Sequence, residues 1–179
     1  LFEAPHLLFI NLITDCLPAV ALGMEDAEKN VMKRAPRESN EGIFARGLGF
    51  GVIYQGIVVA ALTMLSYYLG RYAFNGGSEI LGTSMAFLTL SSTQLFHAFN
   101  VKNDGTIFSK KTFNNKMLNI AFLVGMALQF IVIYTPGLND VFKLQALDIV
   151  SLSISMGLAL SIVVLMEGYK LIKRLLNKH

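Results

Sequence analysis

The stretch that decides the fold is residues 6–24, HLLFINLITDCLPAVALGM, an apolar run long enough for a helix to cross a bilayer. Three polar side chains interrupt it, Asn11, Thr14 and Asp15, and Pro18 follows them. An ionised carboxylate at the centre of a membrane helix costs about 2.5–3.5 kcal/mol on insertion scales. Because ionisable residues at such depth are rare and mostly functional, we expect Asp15 to have a function inside the membrane.

The composition is that of an integral membrane protein. Of the 179 residues, 54% are hydrophobic and only 15% are charged, whereas soluble domains carry about 25% charged residues. The single cysteine, Cys16, excludes an internal disulfide framework. No basic patch with interleaved aromatic residues is present, so we expect no nucleic-acid partner. The chain starts at Leu1, and its first apolar run begins almost at once, so we expect it to be a piece of a longer protein.

Five runs of near-spanning length predict an all-α, polytopic membrane helix bundle with five transmembrane helices. Their approximate bounds are 5–24, 47–70, 82–100, 115–134 and 147–168. The connecting loops cover residues 25–46, 71–82, 101–116 and 135–146. A soluble domain with the same runs as core helices is disfavoured, because five runs near 20 residues rarely occur together in one such domain.

The basic residues predict the orientation of the bundle. Of the 15 Lys and Arg residues, all but Arg71 and Lys143 lie in the first loop, the third loop or the C-terminal tail. Because cytoplasmic loops are enriched in Lys and Arg, these three segments and the C-terminus are expected to be cytoplasmic. The N-terminus is then outside or lumenal.

The polar residues of the first span suggest a cation site. Asn11, Thr14 and Asp15 are spaced i, i+3 and i+4, so an α-helix would place them on one face. Their oxygen atoms are the ligands that hard cations such as Ca²⁺ prefer. Pro18 has no N–H, so the carbonyl of Thr14 would lose its helical partner and could also face an ion. The alternative is that Asn11 and Thr14 only bridge helices and that Asp15 pairs with a cationic group elsewhere in the bundle.

The third span is the next most polar, and its Gln94 is a weaker candidate ligand. Gln94 shares a helix face with His97 and can offer a carbonyl oxygen, but no charge. Hydrogen bonding between helices is an equally good interpretation for His97 and for Ser91, Ser92 and Thr93. The same interpretation applies to Gln55 and Gln129. Close helix packing is expected at the glycines of the second span, Gly47, Gly49, Gly51 and Gly56.

Several motifs of the chain resemble those of P-type calcium pumps of the sarco/endoplasmic-reticulum type and of their bacterial relatives. They are NLITDCLPAVALGME with the following KRAPRE, SSTQLFHAFN in the third span, and VFKLQALD before the fifth. The resemblance covers nearly the whole chain and implies that it forms transmembrane helices six to ten of such a pump, a C-terminal transmembrane domain.

The resemblance also implies functional roles. Asn11, Thr14 and Asp15 match calcium ligands of the family, and Ca²⁺ would be the transported ion. Gln94 stands where two-site pumps carry a glutamate, which implies one Ca²⁺ per cycle. ATP and Mg²⁺ would act only in the full-length pump, because the chain lacks the phosphorylation motif and the nucleotide-binding domain and should be inactive alone.

The resemblance further implies partners and a location. The partners would be the lipid bilayer, helices one to five with the cytoplasmic domains, and a regulatory membrane subunit. The pump would be a multi-pass protein of the plasma membrane if bacterial. Three alternatives stay open: the same architecture pumping Mn²⁺, Na⁺ or K⁺, a purely structural or partner-binding membrane domain, and a channel. The channel is disfavoured because one aspartate supplies no charged ring.

Overall fold

The computed structural model describes residues 2–25, 48–74, 77–102, 107 and 112–176. The regular structure in these ranges is helical, and no strand occurs in them. The prediction of an all-α membrane bundle is confirmed. Most of the polar loop 25–46 and half of the Lys-rich loop 101–116 lie outside the described residues.

The first span is a helix of three parts. Helix α1 covers Ala4–Phe9, a π-helical segment covers Ile10–Asp15, and α2 covers Cys16–Gly23. Together they run without a break over Ala4–Gly23, within one residue of the predicted bounds. The change of helix type inside the span was not predicted.

The second and third spans extend closer to each other than predicted. Helix α3 covers Leu48–Tyr68 and continues through a π-helical turn, Leu69–Ala73, while α4 covers Glu79–Lys102. The predicted loop 71–82 is therefore wrong at both ends. Helix α4 starts early because the hydroxyl of Ser78 accepts a hydrogen bond from the backbone N–H of Leu81, at 3.0 Å, and so caps the helix.

The last two spans are close to their predicted positions. Helix α5 covers Lys116–Tyr134 and follows a short 3₁₀ turn, while the short α6, Leu138–Val141, lies in the predicted loop 135–146. Helix α7 covers Ile149–Leu176, so most of the basic tail is helical and not a separate tail. Asp148 caps α7, since its carboxylate accepts the backbone N–H of Ser151 at 3.3 Å.

Four of the five spans are long and apolar enough to cross a membrane: Ala4–Gly23, Gly49–Ala73, Lys116–Tyr134 and Ile149–Leu175. The remaining predicted span is α4, whose 24 residues reach about 36 Å at 1.5 Å per residue. Its lower hydropathy has a structural reason. Helix α4 packs against α3, α5, α7 and the first span, so its serine and threonine side chains meet protein rather than lipid.

The packing around α4 relies on close backbone contacts. An added Cβ at Gly82 would lie 2.8 Å from the carbonyl oxygen of Tyr67, and one at Gly70 would lie 2.8 Å from the Cα of Gly82. The predicted packing glycines behave differently. A Cβ at Gly51 would lie 3.3 Å from the hydroxyl of Tyr169, but one at Gly56 would meet nothing within 4 Å, so the prediction is wrong there. Gly47 lies outside the described residues.

Ion pairs join the loops at both ends of the bundle. At one end, Lys143 Nζ lies 2.7 Å from the carboxylate of Glu3. At the other, Lys102 Nζ lies 3.1 Å from the carboxylate of Glu25. Each pair connects segments that the alternation of spans places on the same side of the membrane. Which side faces the cytoplasm stays a prediction.

Candidate cation-binding site

The backbone of the first span widens beside its acidic residue. In the π-helical segment Ile10–Asp15, the N–H of Cys16 bonds to the carbonyl oxygen of Asn11, five residues earlier. Pro18, which is buried, follows as the third residue of α2. Its ring would clash with the carbonyl four residues earlier in a regular α-helix, and the wider turn just before it relieves this crowding. Such single π-turns occur frequently at functional sites.

The wider turn divides the three candidate ligands between two faces. The packed side of the span is formed by a stripe of buried residues, His6, Ile10, Thr14, Pro18 and Ala21. Asn11 and Asp15 are exposed on the adjoining face. Because a π-turn holds more than 3.6 residues, residues four apart align better than residues three apart. The structure therefore brings Asn11 and Asp15 to one face and turns Thr14 toward the bundle.

Thr14 is held against its own helix. Its hydroxyl donates a hydrogen bond of 2.7 Å to the carbonyl oxygen of Ile10. A hydroxyl that donates its proton still has lone pairs, so Thr14 keeps the capacity to accept a cation. In this arrangement the hydrogen bond fixes the orientation of its oxygen atom.

Gln94 lies in a cavity of about 480 Å³ between α3 and α4. Gln55 and His97 line the same cavity, and His97 Nε2 lies 3.2 Å from Gln55 Oε1 across the two helices. The other lining residues are mostly apolar, and neither Asn11 nor Asp15 is among them. Gln94 and the two residues of the first span therefore do not share a cavity in the described part of the chain.

Other polar residues of α4 serve helix packing. The hydroxyl of Ser92 donates to Gln129 Oε1 on α5 at 3.3 Å, and both side chains are buried. This contact and the His97–Gln55 contact support hydrogen bonding between helices as the interpretation for these four residues. The cavity position of Gln55 was missed, because one sequence does not show which helix faces which.

The described residues hold no group of three His, Cys, Asp or Glu side chains that could bind a metal ion. Residues 2–25 contain three acidic residues. Glu3 and Glu25 lie at the two ends of this segment, so Asp15 is the only one inside the span. A cation bound there needs the amide oxygen of Asn11, hydroxyl oxygens or backbone carbonyls as further ligands. Such oxygen ligands suit hard cations and not the soft metals that select thiolates.

Comparison with known proteins decides the family. Residues 1–172 match the family model described as cation transporting ATPase, C-terminus. The chain belongs to this family. The resemblance to P-type calcium pumps that the motifs indicate is confirmed.

Three relatives of this ATPase segment show how far the similarity reaches. A calcium-transporting ATPase of Listeria monocytogenes is 39% identical over 178 residues, which cover 96% of this chain and 19% of the relative. A calcium-transporting ATPase of Bacillus subtilis is 39% identical over 142 residues, 79% of this chain and 16% of the relative. Calcium-transporting ATPase type 2C member 2 of Mus musculus is 31% identical over 177 residues, 98% of this chain and 19% of the relative. The chain spans about a fifth of the length of these relatives.

Proposed function

We propose that this chain is the membrane part of an ATP-driven calcium pump. Its first span contributes cation ligands, and its other helices form the scaffold of the ion pathway. The observation that carries the proposal is the position of Asp15, an acidic side chain in the middle of a membrane span, on an open face with Asn11 and beside π-helical backbone. The identity of the transported ion is inferred from the relatives, since each is called a calcium-transporting ATPase.

The ligand set of the chain is incomplete for calcium. Ca²⁺ takes six to eight oxygen ligands, while the first span offers the side chains of Asn11, Asp15 and Thr14. The remaining ligands come from parts of the pump outside this chain, against which the open face of Asn11 and Asp15 packs. The isolated chain therefore binds Ca²⁺ weakly and hydrolyses no ATP. ATP and Mg²⁺ act in the cytoplasmic domains of the full-length pump.

The pump moves one Ca²⁺ per ATP. Gln94 brings no charge. It lines the cavity between α3 and α4, and Asp15 does not line that cavity. A second divalent cation would have no carboxylate of its own there.

The basic loops and the end of α7 face the cytoplasm, where Lys and Arg are enriched.

The test is the Ca²⁺-stimulated ATPase activity of the full-length pump, wild type against Asp15→Asn. The expected result is strong stimulation of the wild type and none of the variant. Asp140→Asn is the matched control, because Asp140 is an exposed carboxylate of α6 outside the proposed site, and it should keep full activity. Full Ca²⁺ stimulation of the ATPase activity in Asp15→Asn would show that the first span has only a structural role.

The same assay identifies the ion. Stimulation by Mn²⁺, Na⁺ or K⁺ but not by Ca²⁺ would keep the pump and overturn the calcium assignment. Transport in sealed vesicles then gives the stoichiometry. A ratio of one Ca²⁺ per ATP is expected, and a ratio of two would overturn the single-ion proposal.

A further inference from the structure

A second cavity, of about 410 Å³, lies where α4, α5 and α7 meet. This volume is within the range of about 300–1,000 Å³ that ligand pockets usually have. We call it the aromatic groove. Its lining includes Phe96, Phe99, Ile107, Phe113, Phe122 and Leu123.

The aromatic groove is built from rings in mutual contact. The ring of Phe122 on α5 lies 5.3 Å from that of Phe96 and 5.5 Å from that of Phe99, both on α4, between centroids. Phe113 lies 5.5 Å from Phe99 in the same way. Ile107 is fixed by its backbone N–H, which donates to the carboxylate of Glu167 on α7 at 2.7 Å. The groove is therefore a formed feature of the bundle.

The mouth of the groove opens away from the core. Phe99 and Ile107 are buried at its floor, whereas the side chains at its mouth, Phe113 and Leu123, are 60% and 65% exposed. Helices α5 and α7 are both long and apolar enough to cross a membrane. Leu123 lies within the candidate span Lys116–Tyr134, so the opening beside it faces hydrocarbon, and the chemistry that fits it is an acyl chain.

The rim of the groove carries a positive charge at the membrane surface. Lys116 begins α5, and with Asn119 and Leu123 it is spaced i, i+3 and i+7, so the three lie on the groove side of that helix. Lys116 is exposed and forms no ion pair with the described residues, whereas Lys102 at the same end of the bundle pairs with Glu25. The N-terminus of α5 adds the positive end of its dipole. An anionic headgroup is complementary to this rim.

We propose that the aromatic groove binds one acyl chain of an anionic phospholipid whose headgroup lies at Lys116. The groove shares no lining residue with the candidate cation site, so this proposal stands apart from the identity of the transported ion. The bound phospholipid comes from the bilayer that α5 and α7 cross.

The test is native mass spectrometry of the full-length pump released from detergent, with phosphatidylglycerol and phosphatidylcholine added in turn. The wild type should retain one phosphatidylglycerol and no matching phosphatidylcholine. Leu123→Trp, which fills the mouth of the groove, should lose this retention severalfold. Lys116→Gln should weaken it about five-fold, the effect of one basic side chain near an anionic membrane surface.

Two control variants separate the groove from general lipid contact. Val164→Trp places the same ring on an exposed position of α7 outside the groove, and Lys173→Gln removes a charge from the end of α7. Both should retain phosphatidylglycerol like the wild type. Equal retention of the two lipids by the wild type would overturn the proposal, as would unchanged retention in Lys116→Gln. A co-purifying membrane peptide that Leu123→Trp displaces, with no lipid retained, would overturn the choice of occupant.

Discussion

Ser66 and Thr89 connect three helices at the centre of the bundle. The hydroxyl of Thr89 on α4 donates a hydrogen bond of 2.7 Å to the hydroxyl of Ser66 on α3. The same hydroxyl lies 3.4 Å from the carbonyl oxygen of Ser155 on α7. All three residues are fully buried. Since lipid tails give no hydrophobic force between helices, such contacts and close packing hold a membrane bundle together.

This contact predicts a measurable coupling between two side chains. Ser66→Ala and Thr89→Val should each lower the thermal stability of the purified full-length protein. The double variant should lose less than the sum, because the hydrogen bond is lost only once. The expected coupling is about 0.6 kcal/mol, the average for interhelical hydrogen bonds in membranes. Additive losses would show that the two hydroxyls do not depend on each other.

The approach of α4 to the preceding helix predicts a strong effect of one methyl group. Gly82→Ala should destabilise the protein by about 1–3 kcal/mol, because the new Cβ would lie 2.8 Å from the backbone oxygen of Tyr67, which has little freedom to move. Gly168→Ala is the matched control, since a Cβ there meets nothing within 4 Å and α7 gains a better helix former. The melting temperatures of both variants give the comparison. A Gly82→Ala variant as stable as the control would contradict the close contact.

The ion pair at one end of the bundle predicts a dependence of stability on pH. Lys143 donates a hydrogen bond to the carboxylate of Glu3 and thereby holds the pKa of Glu3 below its ordinary value of 4.5. A lowered pKa in the folded state means that the stabilisation is present above the ordinary pKa and is lost as the pH falls through the lowered value. The effect is small, since both side chains are more than half exposed.

Glu3→Gln removes the charge of this ion pair, and its pH dependence separates the pair from the role of Glu3 at the start of α1. The variant should melt slightly below the wild type at neutral pH, and the difference should vanish only as the pH falls through the lowered pKa of Glu3. Asp140→Asn, a neighbouring exposed carboxylate, is the control for general charge effects. A difference between Glu3→Gln and the wild type that persists at the acid end would exclude the ion pair as its source.

Most of the fold could be predicted from apolar run length alone. The bounds of the first span, α5 and α7 follow from it within a few residues at most ends, because lipid demands continuous apolar sequence. The loop 71–82 could not be predicted, since the helices on either side continue through polar and glycine residues that the cap of Ser78 and the contact at Gly82 stabilise. The cap and the close contact depend on tertiary structure, so the hydropathy of the sequence does not predict them.

The candidate site was predictable in its residue types but not in its geometry. Polar residues in an apolar run point to Asn11, Thr14 and Asp15 without any structure. Their division between two faces depends on the π-helical segment, and the α-helical spacing used for the prediction does not apply there. The separate cavity of Gln94 depends on how α3 and α4 pack. Pro18 is visible in the sequence, but neither the extent of the π-helical segment before it nor the pairing of α3 with α4 can be predicted from one sequence.

Pro18 predicts a variant that gains stability and loses function. Pro18→Ala returns a backbone N–H to the first span and removes part of the cost of about 3 kcal/mol that a proline imposes inside a regular helix, since the widened turn already relieves the crowding of its ring. The segment Ile10–Asp15 should then close toward regular α-helix and turn Asn11 and Asp15 relative to the bundle. The melting temperature should rise and, under the proposed function, the Ca²⁺ concentration for half-maximal ATPase activity of the full-length protein should increase severalfold. Pro5→Ala, in the first turn of α1 where an N–H has no helical partner, should change neither quantity. Unchanged calcium dependence in Pro18→Ala would show that the widened turn does not shape the proposed ion site.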